Sequence, residues 1–96
     1  MDLWRTSARA LHLEHVGLTG INLQRQDLRR SSFIYSMLSG GSLVYCDLTG
    51  ADFSYCIGEN TSLRKSRVRG ARFVNARFTG GMFMAADFTN TDFFGC

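Results

Sequence analysis

Leucine and phenylalanine return at every fifth residue. From Leu3 the series runs Ala8, Leu13, Leu18, Leu23, Leu28, Phe33, Leu38, Leu43, Leu48, Phe53, Gly58, Leu63, Val68, Phe73, Phe78, Phe83, Phe88 and Phe93. Seventeen of those nineteen positions are Leu, Phe or Val, and among all the Leu and Phe only Leu11 and Phe94 fall outside the register. An amphipathic helix repeats its apolar face about every 3.6 residues and a half-buried strand about every 2, so neither accounts for a period of five. A chain with this register must turn once per five residues and bury one large side chain per turn. At 96 residues, 45% hydrophobic and 20% charged, it has the size of one small domain and is too apolar for a disordered tail.

The other phases are sorted as well. Two residues before each centre the side chain is mostly small: Ser31, Ser36, Gly41, Cys46, Ala51, Cys56, Thr61, Ser66, Ala71, Ala76, Gly81, Ala86 and Thr91. One residue before the centre it is polar, as at Asn22, Asp27, Asp47, Asp52, Asp87 and Asp92. Two residues after it Gly or Asn recurs, as at Gly20, Gly40, Gly50, Asn60, Gly70, Asn75, Gly80 and Asn90. Those types tolerate positive φ, so a tight turn is expected in every unit. A large inward group, a small inward group and a turn, repeated along the chain, describe a solenoid.

The units Cys46-Asp47-Leu48-Thr49-Gly50, Ala51-Asp52-Phe53-Ser54-Tyr55 and Ala86-Asp87-Phe88-Thr89-Asn90 resemble the pentapeptide-repeat family, A-(D/N)-(L/F)-x-x. The resemblance covers essentially the whole chain as a single domain, residues 1–96. It implies an all-β fold, a right-handed quadrilateral β-helix in which four pentapeptides make one square coil of twenty residues. Residues twenty apart then stack, and the chain is expected to form about five coils. One aromatic column would run Leu13, Phe33, Phe53, Phe73, Phe93, and the structural core would comprise Phe33, Phe53, Phe73, Phe78, Phe83, Phe88 and Phe93.

Departures from the pattern mark places to watch. Gly58 replaces a large central residue, and Ile57 precedes it in an outward phase. A local bulge that turns Ile57 inward is the expectation; a kink or a partner contact is the alternative. Ala8 is small at a centre, while Leu11, Val16, Ile21 and Gln26 are large where small residues belong. Residues 1–13 could instead be a short helix that caps the solenoid. No polar cap follows Phe93, so the C-terminal end is expected to be open. Either the chain is a module of a larger effector protein, or its last coil pairs with a partner.

On the square coil the outward residues form candidate surfaces. Ile34, Tyr35, Tyr55, Val74 and Phe94 share a face and are the candidate protein-interaction surface. Met82, Met84 and Phe94 are expected outward near the C-terminal end, as a contact for a homodimer or a further domain, with Trp4 and Val44 lengthening the Met strip. The net charge is +3 and the pI is about 9.1. The densest charge is the run Arg64, Lys65, Arg67, Arg69, Arg72 and Arg77, which wraps all four faces as a belt. Arg67 would stack between Asp47 and Asp87, and Arg72 between Asp52 and Asp92, as ion-pair ladders. That leaves Arg64, Lys65, Arg69 and Arg77 as candidate basic contacts. A belt is a poor nucleic-acid footprint, so direct nucleic-acid binding is not expected.

Chemistry finds no foothold. His12 and His15 have no nucleophile beside them in the pattern, and Asp occurs where it would bond to turn backbone. The glycines follow the turn phase and make no phosphate loop. Cys46, Cys56 and Cys96 are odd in number and form no CxxC pair, which argues against disulfides or a zinc site and for a reducing cytoplasm. No stretch of about eighteen apolar residues exists to span a membrane, and Asp2 stands where a secretory leader would carry positive charge. The expected role is non-enzymatic and needs no cofactor or metal: a scaffold that binds another protein. The family resemblance implies an alternative, a DNA mimic that modulates DNA gyrase or topoisomerase IV. The positive charge and the Asp columns interrupted by Arg67 and Arg72 speak against it.

Overall fold

The computed structural model describes residues 10–96. Trp4, Leu3, Ala8 and most of the proposed 1–13 cap lie outside the described residues. Within them each unit makes one short parallel bridge and one turn. Every bridge joins residues twenty apart, from His12–Ser32 through Asp27–Asp47, Met37–Ile57 and Ser62–Met82 to Arg72–Asp92. Four units therefore complete one coil, and the outer surface divides into four faces. The first holds residues 11–15, 31–35, 51–55, 71–75 and 91–95. The second holds 16–20, 36–40, 56–60 and 76–80. The third holds 21–25, 41–45, 61–65 and 81–85. The fourth holds 26–30, 46–50, 66–70 and 86–90. His12 already bridges Ser32, and Ser32 N donates to Leu11 O at 2.8 Å, so Leu11 to Leu13 belong to the repeats and not to a capping helix.

The backbone hydrogen bonds explain the period. Phe33 N donates to Asp52 O at 2.7 Å and Phe53 N to Arg72 O at 2.6 Å, while Asp52 N donates back to Ser31 O at 3.0 Å. Each coil thus satisfies its neighbour's polar backbone. Within a unit the chain turns the corner by a three-residue closure, as Ser36 N to Phe33 O at 3.0 Å. The corner requires positive φ. Gly40 (φ 72) and Gly50 (φ 72) adopt it freely, and Tyr35, Tyr45 and Tyr55 adopt it too, each at φ 60. For a non-glycine residue that conformation costs about 1–2 kcal/mol.

Asp one residue before the centre acts on the same corner. Asp27, Asp47, Asp52, Asp87 and Asp92 each accept, through Oδ1, the backbone N–H two residues on, at 2.9–3.2 Å. In the small phase, hydroxyls close inward bonds. Ser36 Oγ donates to Phe33 O at 2.6 Å, Thr61 Oγ1 to Leu38 O at 2.7 Å, and Ser66 Oγ to Leu43 O.

The core is a stack of large groups. Phe33, Phe53 and Phe73 are buried, with centroids 4.7 Å and 4.8 Å apart. Phe78, Phe83 and Phe88 are partly buried against them. Phe93 extends the column at 5.3 Å from Phe73 but is 43% exposed, because no described coil covers it. The expected core membership of Phe93 is thus corrected to a half-open end.

Gly58 gives no bulge. Ile57 bridges Met37 and Arg77 in unbroken register and points outward, 36% exposed. The missing side chain is replaced from the next coil: a Cβ on Gly58 would lie 2.5 Å from Cε2 of Phe78. Phe78 leans into that space and meets Phe73 edge-on at 5.3 Å and 70°. A similar trade accommodates the large Ile21 in the small phase. Gly41 lies one coil below, where a Cβ would meet Leu38 O at 2.8 Å and Ile21 Cγ2 at 3.5 Å.

Candidate interaction surface

The first face carries an aromatic column at its corner. His15 and Tyr35 stack at 5.1 Å and 8°, and Tyr35 and Tyr55 stack at 4.8 Å and 8°. The spacing is the coil repeat itself, so the rings are held parallel by the backbone. Tyr35 is 51% and Tyr55 44% exposed. Around the corner, on the second face, Met37 and Ile57 pair in register, 48% and 36% exposed. Tyr35, Met37, Tyr55 and Ile57 therefore form one apolar edge across two coils. Met37 went unnoticed in the sequence, although an apolar residue twenty before Ile57 in the Asp phase was a usable signal.

The other candidates on the first face differ in exposure. Ile34 and Val74 are half-buried and Ser54 is buried, so their column contributes wall more than free surface. Phe94 is exposed, at the last described unit. Met82 and Met84 are exposed on the third face. Phe94 stands on the opposite side of the square, so these three do not form one contact as expected.

The basic run spreads over the faces, with different partners than the spacing predicted. Arg67 bridges Asp47 and Asp87 through backbone, but among the described residues its side chain has no carboxylate within 4 Å. Asp87 pairs instead with Arg69, at 3.5 Å. Arg72 reaches Asp52 at 3.7 Å and not Asp92. Lys65 Nζ donates to Tyr45 Oη at 3.0 Å. Of the four cations expected to be unpartnered, Arg64 and Arg77 remain so among the described residues. Exposed pairs of this kind each contribute well under about 1 kcal/mol.

Asp27 and Asp87 are among the carboxylates held below their usual range. The Arg29 guanidinium holds Asp27 down, and the Thr89 hydroxyl and N–H hold Asp87 down. A lowered folded-state pKa stabilises the fold above the unfolded value of 3.8 and loses that contribution as pH falls through the folded value. Thermal melts should show stability falling below that pH, and Asp27→Asn should flatten the fall. An unchanged acid profile in the variant would remove Asp27 from the account.

Burial pushes the Cys46 and Cys56 thiols up to about 11, so both stay protonated and unreactive at neutral pH. Cys96 is exposed and free. Among the described residues, no cluster of three His, Cys, Asp or Glu is placed to hold a metal. No helix of the described residues is long and apolar enough to cross a membrane.

Comparison with known proteins places these features. The family model for pentapeptide repeats matches residues 42–80, in eight copies. The fold is similar to HetL, a pentapeptide repeat protein involved in heterocyst differentiation regulation from the cyanobacterium Nostoc sp. strain PCC 7120. That match has a TM-score of 0.82 and 24% identity, over 93% of this chain and 41% of HetL. A pentapeptide repeat protein of the Arabidopsis thaliana thylakoid lumen matches with a TM-score of 0.66 and 27% identity, over 90% of this chain and 63% of that one. A second Nostoc protein, alr5209, matches with a TM-score of 0.61 and 22% identity, over 76% of this chain and 60% of that one. The chain thus spans about two fifths to three fifths of the length of these structures. No curated protein matches the sequence significantly. The neighbours imply a right-handed quadrilateral β-helix.

Proposed function

Because this chain is a pentapeptide-repeat protein, we propose that it works as a non-enzymatic scaffold, a rod of about five coils that binds another protein. Proteins of this family are generally structural or interaction proteins without catalysis. The observation that carries the reading is the aromatic column. Tyr35 and Tyr55 occupy left-handed corners that Gly or Asn would fill with less strain, and they leave their rings half exposed. Rings stacked at the coil repeat and left half exposed beside Met37 and Ile57 fit a docking edge. Aromatic and Met side chains are also enriched at protein interfaces. The free cysteines are in keeping with a cytoplasmic setting.

The test is affinity isolation with wild type and with Tyr35→Ser/Tyr55→Ser. Both serines point to solvent, so the melting temperature should hold. A specific protein should be retained by wild type and reduced by about tenfold or more in the variant, a loss of about 1.4 kcal/mol. Equal retention by both proteins would end the reading.

The gyrase-directed alternative gains no support from the charges. The Asp carboxylates are tied into turns, and Arg67 and Arg72 interrupt their columns. A gyrase supercoiling titration separates the two: the scaffold reading expects no inhibition at low micromolar protein.

A further inference from the structure

The third face has a chemistry of its own. Among the described residues it holds three cations, Arg25, Arg64 and Lys65, and no carboxylate. The other faces mix both signs. Arg25, Tyr45 and Lys65 follow one another in a column twenty residues apart. The Arg25 guanidinium lies 4.9 Å from the Tyr45 ring centroid and the Lys65 ammonium 5.2 Å from it. Lys65 also bonds the phenol oxygen, at 3.0 Å. Tyr45 thus holds two cations of neighbouring coils in place, fixing charges that would otherwise swing in solvent. One coil below Arg64 stands Met84, 69% exposed, with Met82 beside it at 50%. Fixed positive charge and adaptable thioethers meet on one flat surface.

We propose that this face docks an acidic protein segment that also carries apolar side chains, its carboxylates on Arg25, Arg64 and Lys65 and its apolar groups on Met82 and Met84. Charge complementarity selects the acidic partner. Met82 and Met84 accept uneven apolar groups. A nucleic acid fits worse, for two reasons. It places one charge about every 1.7 Å of duplex axis against only three cations here. The Tyr45 ring is already approached by a cation from each neighbouring coil, with which a stacking base would have to compete. A second copy docking face to face also fits worse, because the same three cations would oppose each other. The third face carries neither Tyr35 nor Tyr55, so the proposal stands independently of that edge.

The test is selection of a random peptide display library on the full chain, with a labelled single-stranded oligonucleotide titrated in parallel. Selected peptides should be enriched in Asp and Glu next to Leu, Phe or Met. A synthetic peptide of that composition should bind wild type more weakly as salt rises, and at low salt should bind Arg64→Glu/Lys65→Glu about tenfold more weakly than wild type. Met84→Ser, which leaves every charge in place, should weaken the peptide without changing its salt dependence. Tyr35→Ser/Tyr55→Ser should bind the peptide as wild type does, which separates failure here from failure of the scaffold edge. Matched melting temperatures establish that the variants fold. Peptides without acidic enrichment, or none selected, would overturn the proposal. Tighter binding of the oligonucleotide, insensitive to Met84→Ser, would overturn it in favour of a nucleic-acid surface.

Discussion

Truncating Phe53 to Ala should lower the unfolding free energy by about 3–5 kcal/mol. The ring is fully buried and touches aromatic neighbours on three sides: Phe33 at 4.7 Å, Phe73 at 4.8 Å and Phe78 edge-on at 6.2 Å. Each coil is held only by the coils above and below, so a void in the column weakens both contacts. Small domains carry about 5–15 kcal/mol in total, so the loss is a large fraction of the whole. Phe93→Ala should cost far less, because that ring is already 43% exposed and has one stacked neighbour. Urea titration of the two variants gives the comparison. Equal costs would mean that the column is not the source of stability.

Gly58→Leu should destabilise by about 3 kcal/mol or more, at the upper end for overpacking. Its Cβ would fall 2.5 Å from Cε2 and 2.8 Å from Cδ2 of Phe78. That ring cannot easily swing away, since Phe73 and Phe83 flank it at 5.3 Å and 6.3 Å. Phe78→Leu alone should also destabilise, by emptying the space that Gly58 leaves. Together the two substitutions restore one Leu per coil, as Leu18 and Leu38 already provide in that column. The double variant should therefore be more stable than the sum of the singles predicts, by about 1 kcal/mol or more. Strict additivity would show that Phe78 does not fill the place Gly58 leaves.

The period-five register made most of the fold legible before any coordinates. Leu28, Phe33, Leu48 and Phe53 are buried as the register requires, and Asp47 and Asp52 bond to their turns as their phase implied. What escaped the sequence depends on side-chain direction across stacked coils. The compensation between Gly58 and Phe78 needs the ring to lean up by one coil. Spacing alone says that the two are neighbours, not which space the ring enters. The ion pairs failed for a similar reason. Arg67 and Asp87 share a ladder, but Asp87 turns along the same face to accept from Thr89, which brings its carboxylate to Arg69 instead.

Surface legibility was partial. Tyr35 and Tyr55 were read correctly as outward, while Ser54 between Ile34 and Val74 turned out buried. Met37 and Ile57 complete the edge only because the corner sets the first and second faces side by side. Lys65 belongs to Tyr45 because the corner column places them one coil apart, which a reading of charge runs along the chain could not show.

The most direct measurement is site-specific photo-cross-linking in native extract. A photoreactive phenylalanine replaces Tyr55 in one sample and Arg30, on the fourth face, in another. The account predicts a discrete covalent adduct with a protein from position 55 and none from position 30. No adduct from position 55, or the same adducts from both positions, would contradict a scaffold that binds through the tyrosine edge.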